Sequence, residues 1–273
     1  MNSRILAKAE MRTDPVKNLH FFLGGRDLEM VTIAGLLDEL APGSYSDLGL
    51  AWGARVSAYR NEIQQALLAG QRPVLIELED DLDLEPTEVI SIDHHGARGD
   101  TDHQTSLHQV FALLGLPKER WSRWFDLVAA NDRGHVHALL EVGATPDEIS
   151  AVRVADRKAQ GITIQEEFLG ERAAKAAQSY ARGRLLVVDL PHDRTATVTD
   201  RLHSALGGPG YENLLIRCPD EVNFYGSGKL VRLLDNRVPG GWRGGDIHGL
   251  AFWGNRSVPT DLVPLLQDAI GEN

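Results

Sequence analysis

The sequence predicts an α/β fold with a parallel sheet in its N-terminal part. Short apolar runs with the length of strands alternate with longer runs whose apolar residues recur at three- and four-residue steps. This alternation is typical of βαβ units, in which helices cover a parallel sheet. After Gly183 the strand-like runs follow one another more closely, and paired glycines appear. We therefore expect a second, smaller α/β domain at the C-terminal end.

Composition sets limits on size, compartment and partners. The 273 residues exceed an average domain, so two domains are expected. The net charge of −11 argues against a protein that coats long nucleic acid, because such proteins need a basic surface. This negative charge is compatible with a short anionic substrate, because a bound divalent metal ion makes the electrostatic potential around it positive. The single cysteine, Cys218, cannot form a disulfide within the chain, so a reducing compartment is expected. We expect Cys218 to pack in the hydrophobic core.

No secretion signal pattern and no apolar run of membrane-spanning length is visible in the sequence. We therefore expect a cytoplasmic protein with no membrane partner.

Two acids follow the first strand-like run. Residues 18–23 predict a buried strand, Gly24–Gly25 predicts a turn, and residues 30–40 predict a helix. Asp27 and Glu29 lie in the intervening turn, where their spacing can direct both carboxylates into one pocket. Acids at the start of a helix are also favoured by the helix dipole alone. Both interpretations stay open at this point.

The next two strands each end in polar side chains. A helix is predicted from Trp52 to Leu67, and a strand over residues 73–78 is interrupted by Glu77. A further strand over residues 88–92 runs directly into Asp93, His94 and His95. Open α/β sheets bind ligands at the carboxyl ends of their strands, and imidazole suits Mn, Fe, Co or Zn. The alternative is ordinary turn chemistry at a strand end.

Helices are predicted to follow. Trp121, Trp124 and Phe125 form an aromatic stripe that predicts core packing, and this helix leads to Asp132, either a ligand or an irregular helix end. Capping boxes begin at Thr145 and Thr163 and predict two helices running to about residue 182 as a connector. We expect structural roles for the remaining histidines of this region, His135 and His137.

A glycine-rich segment near the C-terminal end contains Gly244, Gly245 and His248. Paired glycines allow the backbone to approach a ligand closely and to offer N–H groups to an anion. Glycine-rich turns are also common without a ligand, so this segment indicates a binding site only together with the other motifs.

The combined order of these motifs resembles the DHH phosphoesterase family, which includes RecJ-like nucleases, oligoribonucleases, cyclic dinucleotide phosphodiesterases and a class of inorganic pyrophosphatases. The resemblance covers about residues 19–270. It implies a DHH-like metal-binding catalytic domain over residues 1–148 with a parallel sheet and flanking helices. A helical connector over residues 149–183 and a smaller DHHA1-like substrate-binding α/β domain over residues 184–273 would follow.

The resemblance also implies roles for single residues. Catalytic roles fall on Asp93, His94 and His95, and substrate binding falls on Arg98, Gly244, Gly245 and His248. The metal ligands would be Asp27, Glu29, Glu77, His94 and Asp132. The chain departs from the family at three positions: Leu23 stands where a histidine is expected, and Glu29 and Glu77 stand where aspartates are expected.

The activity implied is hydrolysis of a phosphodiester or phosphomonoester of a short or cyclic nucleotide, by metal-activated water at a cleft between the two domains. The expected cofactor is Mn²⁺, as one or two ions, with Mg²⁺ or Co²⁺ as alternatives. The expected partner is a small nucleotide or short oligonucleotide, with a homodimer among the expected assemblies. The departures favour a competing hypothesis, a catalytically degenerate nucleotide-binding or regulatory module. A third interpretation is an α/β protein in which the Asp-His-His sequence is coincidental.

Overall fold

The computed structural model describes residues 18–94, 104–245, 247–257 and 261–271. The chain divides into two compact units between Phe125 and Asp126. Compact units need not coincide with the domains of a resembling family, so the domain borders that the resemblance implies stay predictions. In the part that is described, no helix is both long enough and apolar enough to cross a bilayer.

The first unit contains a four-stranded parallel sheet in the order β2-β1-β3-β4. The predicted N-terminal parallel sheet with helices is therefore confirmed. Its strands are β1 (Leu19–Leu23), β2 (Tyr45–Ser46), β3 (Arg72–Ile76) and β4 (Ile90–Ile92). Its helices are α1 (Leu28–Leu40), α2 (Arg60–Leu68) and α3 (Ser106–Leu113).

The predicted helix from Trp52 is wrong in its first half. The helix α2 begins at Arg60, after a short 3₁₀ turn over Val56–Tyr59. Before this 3₁₀ turn, isolated bridges from Leu50 to Gly25 and from Arg55 to Glu79 hold the backbone on either side of a turn at Trp52 and Gly53. Trp52 has the spacing of a core residue, yet 64% of its surface is exposed, because these tertiary bridges outweigh the local pattern.

Tyr59 joins this segment to the sheet. Its hydroxyl donates a hydrogen bond of 2.7 Å to the carbonyl of Leu23 and accepts one of 3.0 Å from the N–H of Leu48. Its ring packs in a core cluster with Phe22 and Leu75. Burial is the main cause that raises the pKa of Tyr59 to about 12, so the phenol stays a donor. The carboxyl end of β1 is thereby fixed.

The second unit contains a six-stranded mixed sheet in the order β5-β6-β7-β8-β10-β9, in which only β6 and β7 pair parallel. Its strands are β5 (Gln178–Tyr180), β6 (Leu185–Asp189), β7 (Leu214–Arg217), β8 (Val222–Ser227), β9 (Trp242–Gly245) and β10 (Leu250–Asn255). Its helices are α4 (Arg123–Glu141, which begins just before the unit boundary and is kinked at Gly134 and His135), α5 (Pro146–Ala159), α6 (Ile164–Lys175), α7 (Ala196–Leu202), α8 (Gly228–Arg237) and α9 (Val263–Gly271).

Both predicted capping boxes are present, at Thr145 and Thr163. The predicted end of the second helix near residue 182 is wrong, since α6 ends at Lys175 and the chain then forms the edge strand β5. The predicted core packing of the aromatic stripe holds for only some of its residues. Trp121 packs edge-on against Phe125 at 5.5 Å between ring centroids, whereas Trp124 is exposed.

Candidate metal site

Three side chains converge where three neighbouring parallel strands end. Glu29 lies in the first turn of α1 after β1, Glu77 directly follows β3, and His94 lies two residues after β4. One ligand atom from each lies within 4.8 Å of the others. The Nε2 of His94 is 3.2 Å from Oε1 of Glu77 and 3.8 Å from Oε2 of Glu29. The carboxyl edge of the sheet therefore carries a cluster of two carboxylates and one imidazole.

The cluster is buried. The Glu29 side chain is fully buried, and those of Glu77 and His94 are exposed by only 8% and 10%. Burial opposes protonation of His94, but the hydrogen bond to Glu77 and the negative charges of Glu77, Glu29 and Asp93 raise its pKa overall. Two carboxylates brought together away from water favour a nearby cation.

Carboxylate oxygens with one imidazole nitrogen form a donor set that suits Mn²⁺, and to a lesser degree Mg²⁺. The residues present therefore fit a divalent cation.

The backbone at Glu77 is constrained by its neighbours. Glu77 has a positive φ of 50°, a conformation that costs a non-glycine residue about 1–3 kcal/mol. Its N–H donates to the carbonyl of Ile92 at 2.8 Å, and its carbonyl lies against Gly24, where an added Cβ would come within 2.4 Å. The turn that directs the Glu77 carboxylate is thus fixed from both neighbouring strands.

Two further predicted site residues of the first unit, the ligand Asp27 and the catalytic residue Asp93, are not part of this cluster. The carboxylate of Asp27 caps α1 by accepting a hydrogen bond of 2.9 Å from the N–H of Met30. Asp93 lines a cavity of about 500 Å³ together with Ser91 and Gln104. Of the residues described in the first unit, only Glu29, Glu77 and His94 form the convergent group. Asp132 is on α4 in the second unit.

The predicted catalytic residue His95 and the predicted phosphate-binding residue Arg98 lie outside the described residues. Leu23, which stands where the family histidine is expected, is fully buried in β1. Its position therefore supplies packing and no ligand nitrogen.

The glycine-rich segment lies in the second unit and has structural reasons for its glycines. Gly244 and Gly245 end β9, and an added Cβ on Gly244 would lie 2.5 Å from the ring of Phe252. Gly245 has a positive φ of 80°, which glycine adopts without strain. His248 is exposed in the following turn. Their predicted role in substrate binding stays a prediction.

No protein-family model and no curated protein matches this chain. Several solved structures are similar to it over 93% of its length. RecJ from Thermus thermophilus in complex with Mn²⁺ matches with a TM-score of 0.46 at 12% identity, and 51% of the RecJ chain is covered. This chain therefore spans about half the length of that RecJ chain.

Two smaller proteins also match. The pGpG-specific phosphodiesterase PggH from Vibrio cholerae has a TM-score of 0.38 at 12% identity, with 98% of its chain covered. An exopolyphosphatase-related protein from Bacteroides fragilis has a TM-score of 0.39 at 12% identity, with 92% covered. Because each TM-score is below 0.5, the function proposed below depends on the geometry of the acidic–histidine cluster.

Sequence reasoning missed two groups that contact this cluster. The hydroxyl of Ser106 donates a hydrogen bond of 2.7 Å to Oε1 of Glu77, and the N–H of Leu107 donates one of 3.0 Å to Oε1 of Glu29. The signal in the sequence was the pair Thr105–Ser106 before an apolar periodic run, which is typical of a helix start. That signal predicts where the helix begins, but it does not predict the hydrogen bonds from the helix start to Glu77 and Glu29.

Proposed function

We propose that this protein is a metal-dependent hydrolase of phosphate esters whose metal is held by Glu29, Glu77 and His94. The observation that supports it is their convergence, within 4.8 Å, at the carboxyl edge of a parallel sheet. Mn²⁺ is the proposed ion because the donor set combines oxygen with nitrogen. From the resemblance we add Asp132 as a fourth ligand and His95 and Asp93 as catalytic residues.

A bound divalent cation would lower the pKa of a water molecule and polarise a phosphoryl oxygen. Glu29 and Glu77 would neutralise the ion and hold it against the sheet. His94 would supply one nitrogen and needs to be deprotonated to do so, which makes the ion and a proton competitors for Nε2. These roles require no movement of the backbone, because all three residues are placed by strand ends and a helix start.

The proposed substrate is a phosphodiester or phosphomonoester of a short or cyclic nucleotide. The net charge of −11 supports a small substrate, since long nucleic acid needs a broad basic surface. Arg98, Gly244, Gly245 and His248 are proposed, from the resemblance, to contact the phosphate. One of the solved structures named above is that of a pGpG-specific phosphodiesterase.

The competing candidate is a module that binds a metal and a nucleotide without turnover. Two observations favour it: Leu23 supplies no ligand where the family has a histidine, and the carboxylate of Asp27 caps α1. With fewer ligands a second ion has less to hold it, and two-metal hydrolysis requires both ions.

Hydrolysis in Mn²⁺ tests the proposal, with a dinucleotide, a cyclic dinucleotide, a nucleoside bisphosphate and pyrophosphate as substrates. Glu77→Gln should abolish turnover, whereas Glu79→Gln, an exposed glutamate two residues further along, should leave it unchanged. Calorimetric titration with Mn²⁺ separates the candidates. Binding without turnover would support the non-catalytic module, and no binding would reject the metal site.

A further inference from the structure

The first turn of α3 contacts both carboxylates of the proposed metal site. Ser106 is the first residue of α3 and is fully buried, as is Leu107 after it. The Ser106 hydroxyl donates to Glu77 at 2.7 Å, and the Leu107 N–H donates to Glu29 at 3.0 Å. The two donors are adjacent in the chain, while their acceptors are on different elements. One helix start therefore donates hydrogen bonds to both of the proposed glutamate ligands.

These contacts have a physical consequence for glutamate ligands. A glutamate side chain has one more rotatable bond than an aspartate, so fixing it in one orientation costs more rotamer entropy. A hydrogen bond to one carboxylate oxygen restricts those rotamers before an ion arrives. Groups that hydrogen-bond to metal ligands in this way typically change metal affinity by about 10- to 100-fold when removed.

We propose that Ser106 is a positioning residue for the metal site, which sets the orientation of the Glu77 carboxylate. This inference rests on the proposed function, because it assumes that Glu77 is a ligand. It adds a residue that neither the sequence motifs nor the resemblance assigns. The Leu107 N–H acts in the same way on Glu29, but a backbone donor cannot be removed by a side-chain substitution.

The neighbouring residue offers a matched control. Thr105 is also fully buried and precedes α3. Its hydroxyl lies 3.2 Å from Nδ1 of His108, and its N–H donates to the same nitrogen at 3.3 Å. Thr105 thus supports the same helix start through His108 instead of through a glutamate. A purely structural role of this helix start would make the two positions equivalent.

The experiment compares Ser106→Ala, Ser106→Thr and Thr105→Ala in the full chain, with Mn²⁺ as the probe. Calorimetric titration gives the Kd for Mn²⁺, and thermal unfolding without metal gives Tm. We expect Ser106→Ala to weaken Mn²⁺ binding by about 10- to 100-fold. Ser106→Thr, which keeps the hydroxyl, should restore most of the affinity. Thr105→Ala should lower Tm and leave Kd close to that of the wild type.

Three outcomes would overturn the inference. An unchanged Kd in Ser106→Ala, with Mn²⁺ binding intact in the wild type, rejects the positioning role and leaves the proposed metal site standing. Equal losses of affinity in Ser106→Ala and Thr105→Ala show that the helix start acts only through stability. Absence of Mn²⁺ binding by the wild-type chain rejects the proposed function itself, and the inference with it.

Discussion

Gly24 packs directly on the carbonyl oxygen of Glu77, so closely that a Cβ on Gly24 would lie 2.4 Å from that oxygen. Gly24 directly follows β1, and Glu77 follows β3. The two residues are therefore side by side at the carboxyl edge of the sheet. Because the obstacle is backbone, no side-chain rotation can make room for a larger residue at position 24.

Gly24→Ala should therefore displace the turn that carries Glu77. Overpacking of this kind costs about 1–3 kcal/mol, and we expect a loss of that size in the free energy of unfolding together with weaker Mn²⁺ binding. Gly35→Ala is the control. Gly35 lies inside α1 with no atom within 4 Å of an added Cβ, so alanine there should stabilise by about 0.5–1 kcal/mol. Urea unfolding measures the stability of both variants, and calorimetric titration measures their affinity for Mn²⁺. Equal stability and equal Mn²⁺ affinity in the two variants would contradict the prediction.

Part of the site was predictable because its residue types are unusual where they occur. Glu77 interrupts an otherwise apolar run, and the strand β3 ends directly before it. His94 follows a strand rich in β-branched residues, and hydrophobic packing alone does not explain an imidazole at that position. The resemblance implies a ligand role for both residues, and the structure brings their side chains together.

Other parts could not be predicted from local sequence. An acid after a glycine turn satisfies a helix cap and a metal equally well, so the sequence could not show that Asp27 caps α1 while Glu29 joins the cluster. The contact of Ser106 spans 29 residues and that of Leu107 spans 78. Contacts of this length depend on how helices pack, which local periodicity does not contain.

Arg153 is the centre of a buried ion network in the second unit. Its guanidinium donates at 3.0 Å to both Asp156 and Asp200 and at 2.8 Å to Asn131, and 2% of the residue is exposed. Burial opposes its charge, but the two aspartates raise its pKa overall. The network joins α4, α5 and α7.

Arg153→Met should lower the free energy of unfolding by about 3–5 kcal/mol, because it takes the central cation away from two buried carboxylates. Lys175→Met is the control, since Lys175 pairs with Glu171 at the exposed surface and such pairs contribute little. Chemical denaturation followed by circular dichroism measures both. Similar destabilisation by the two substitutions would show that the buried network contributes no more than a surface pair.

Cys218 should be chemically inert in the folded protein. It packs beside the core cluster of β6 and β7. Burial, reinforced by the negative charges of Glu221 and Asp193, raises the pKa of its thiol to about 12. The thiolate is the reactive form, so raising the pKa slows reaction at every pH below it. We expect DTNB at pH 8 to modify Cys218 only after urea is added. Rapid reaction with one equivalent in the native protein would contradict this and indicate an accessible thiol.

Glu29→Gln should separate the metal role of this residue from its packing role. Its Oε1 accepts the Leu107 N–H at 3.0 Å, and the amide oxygen of glutamine can accept the same bond, so this contact is kept while the negative charge and the second carboxylate oxygen are lost. A ligand that binds only the folded state raises Tm. We therefore expect Mn²⁺ to raise the Tm of the wild type, and Glu29→Gln to keep its metal-free Tm while losing most of that increase. Glu62→Gln on α2, outside the cluster, should retain the full increase. An undiminished Mn²⁺ effect in Glu29→Gln would remove Glu29 from the proposed ligand set.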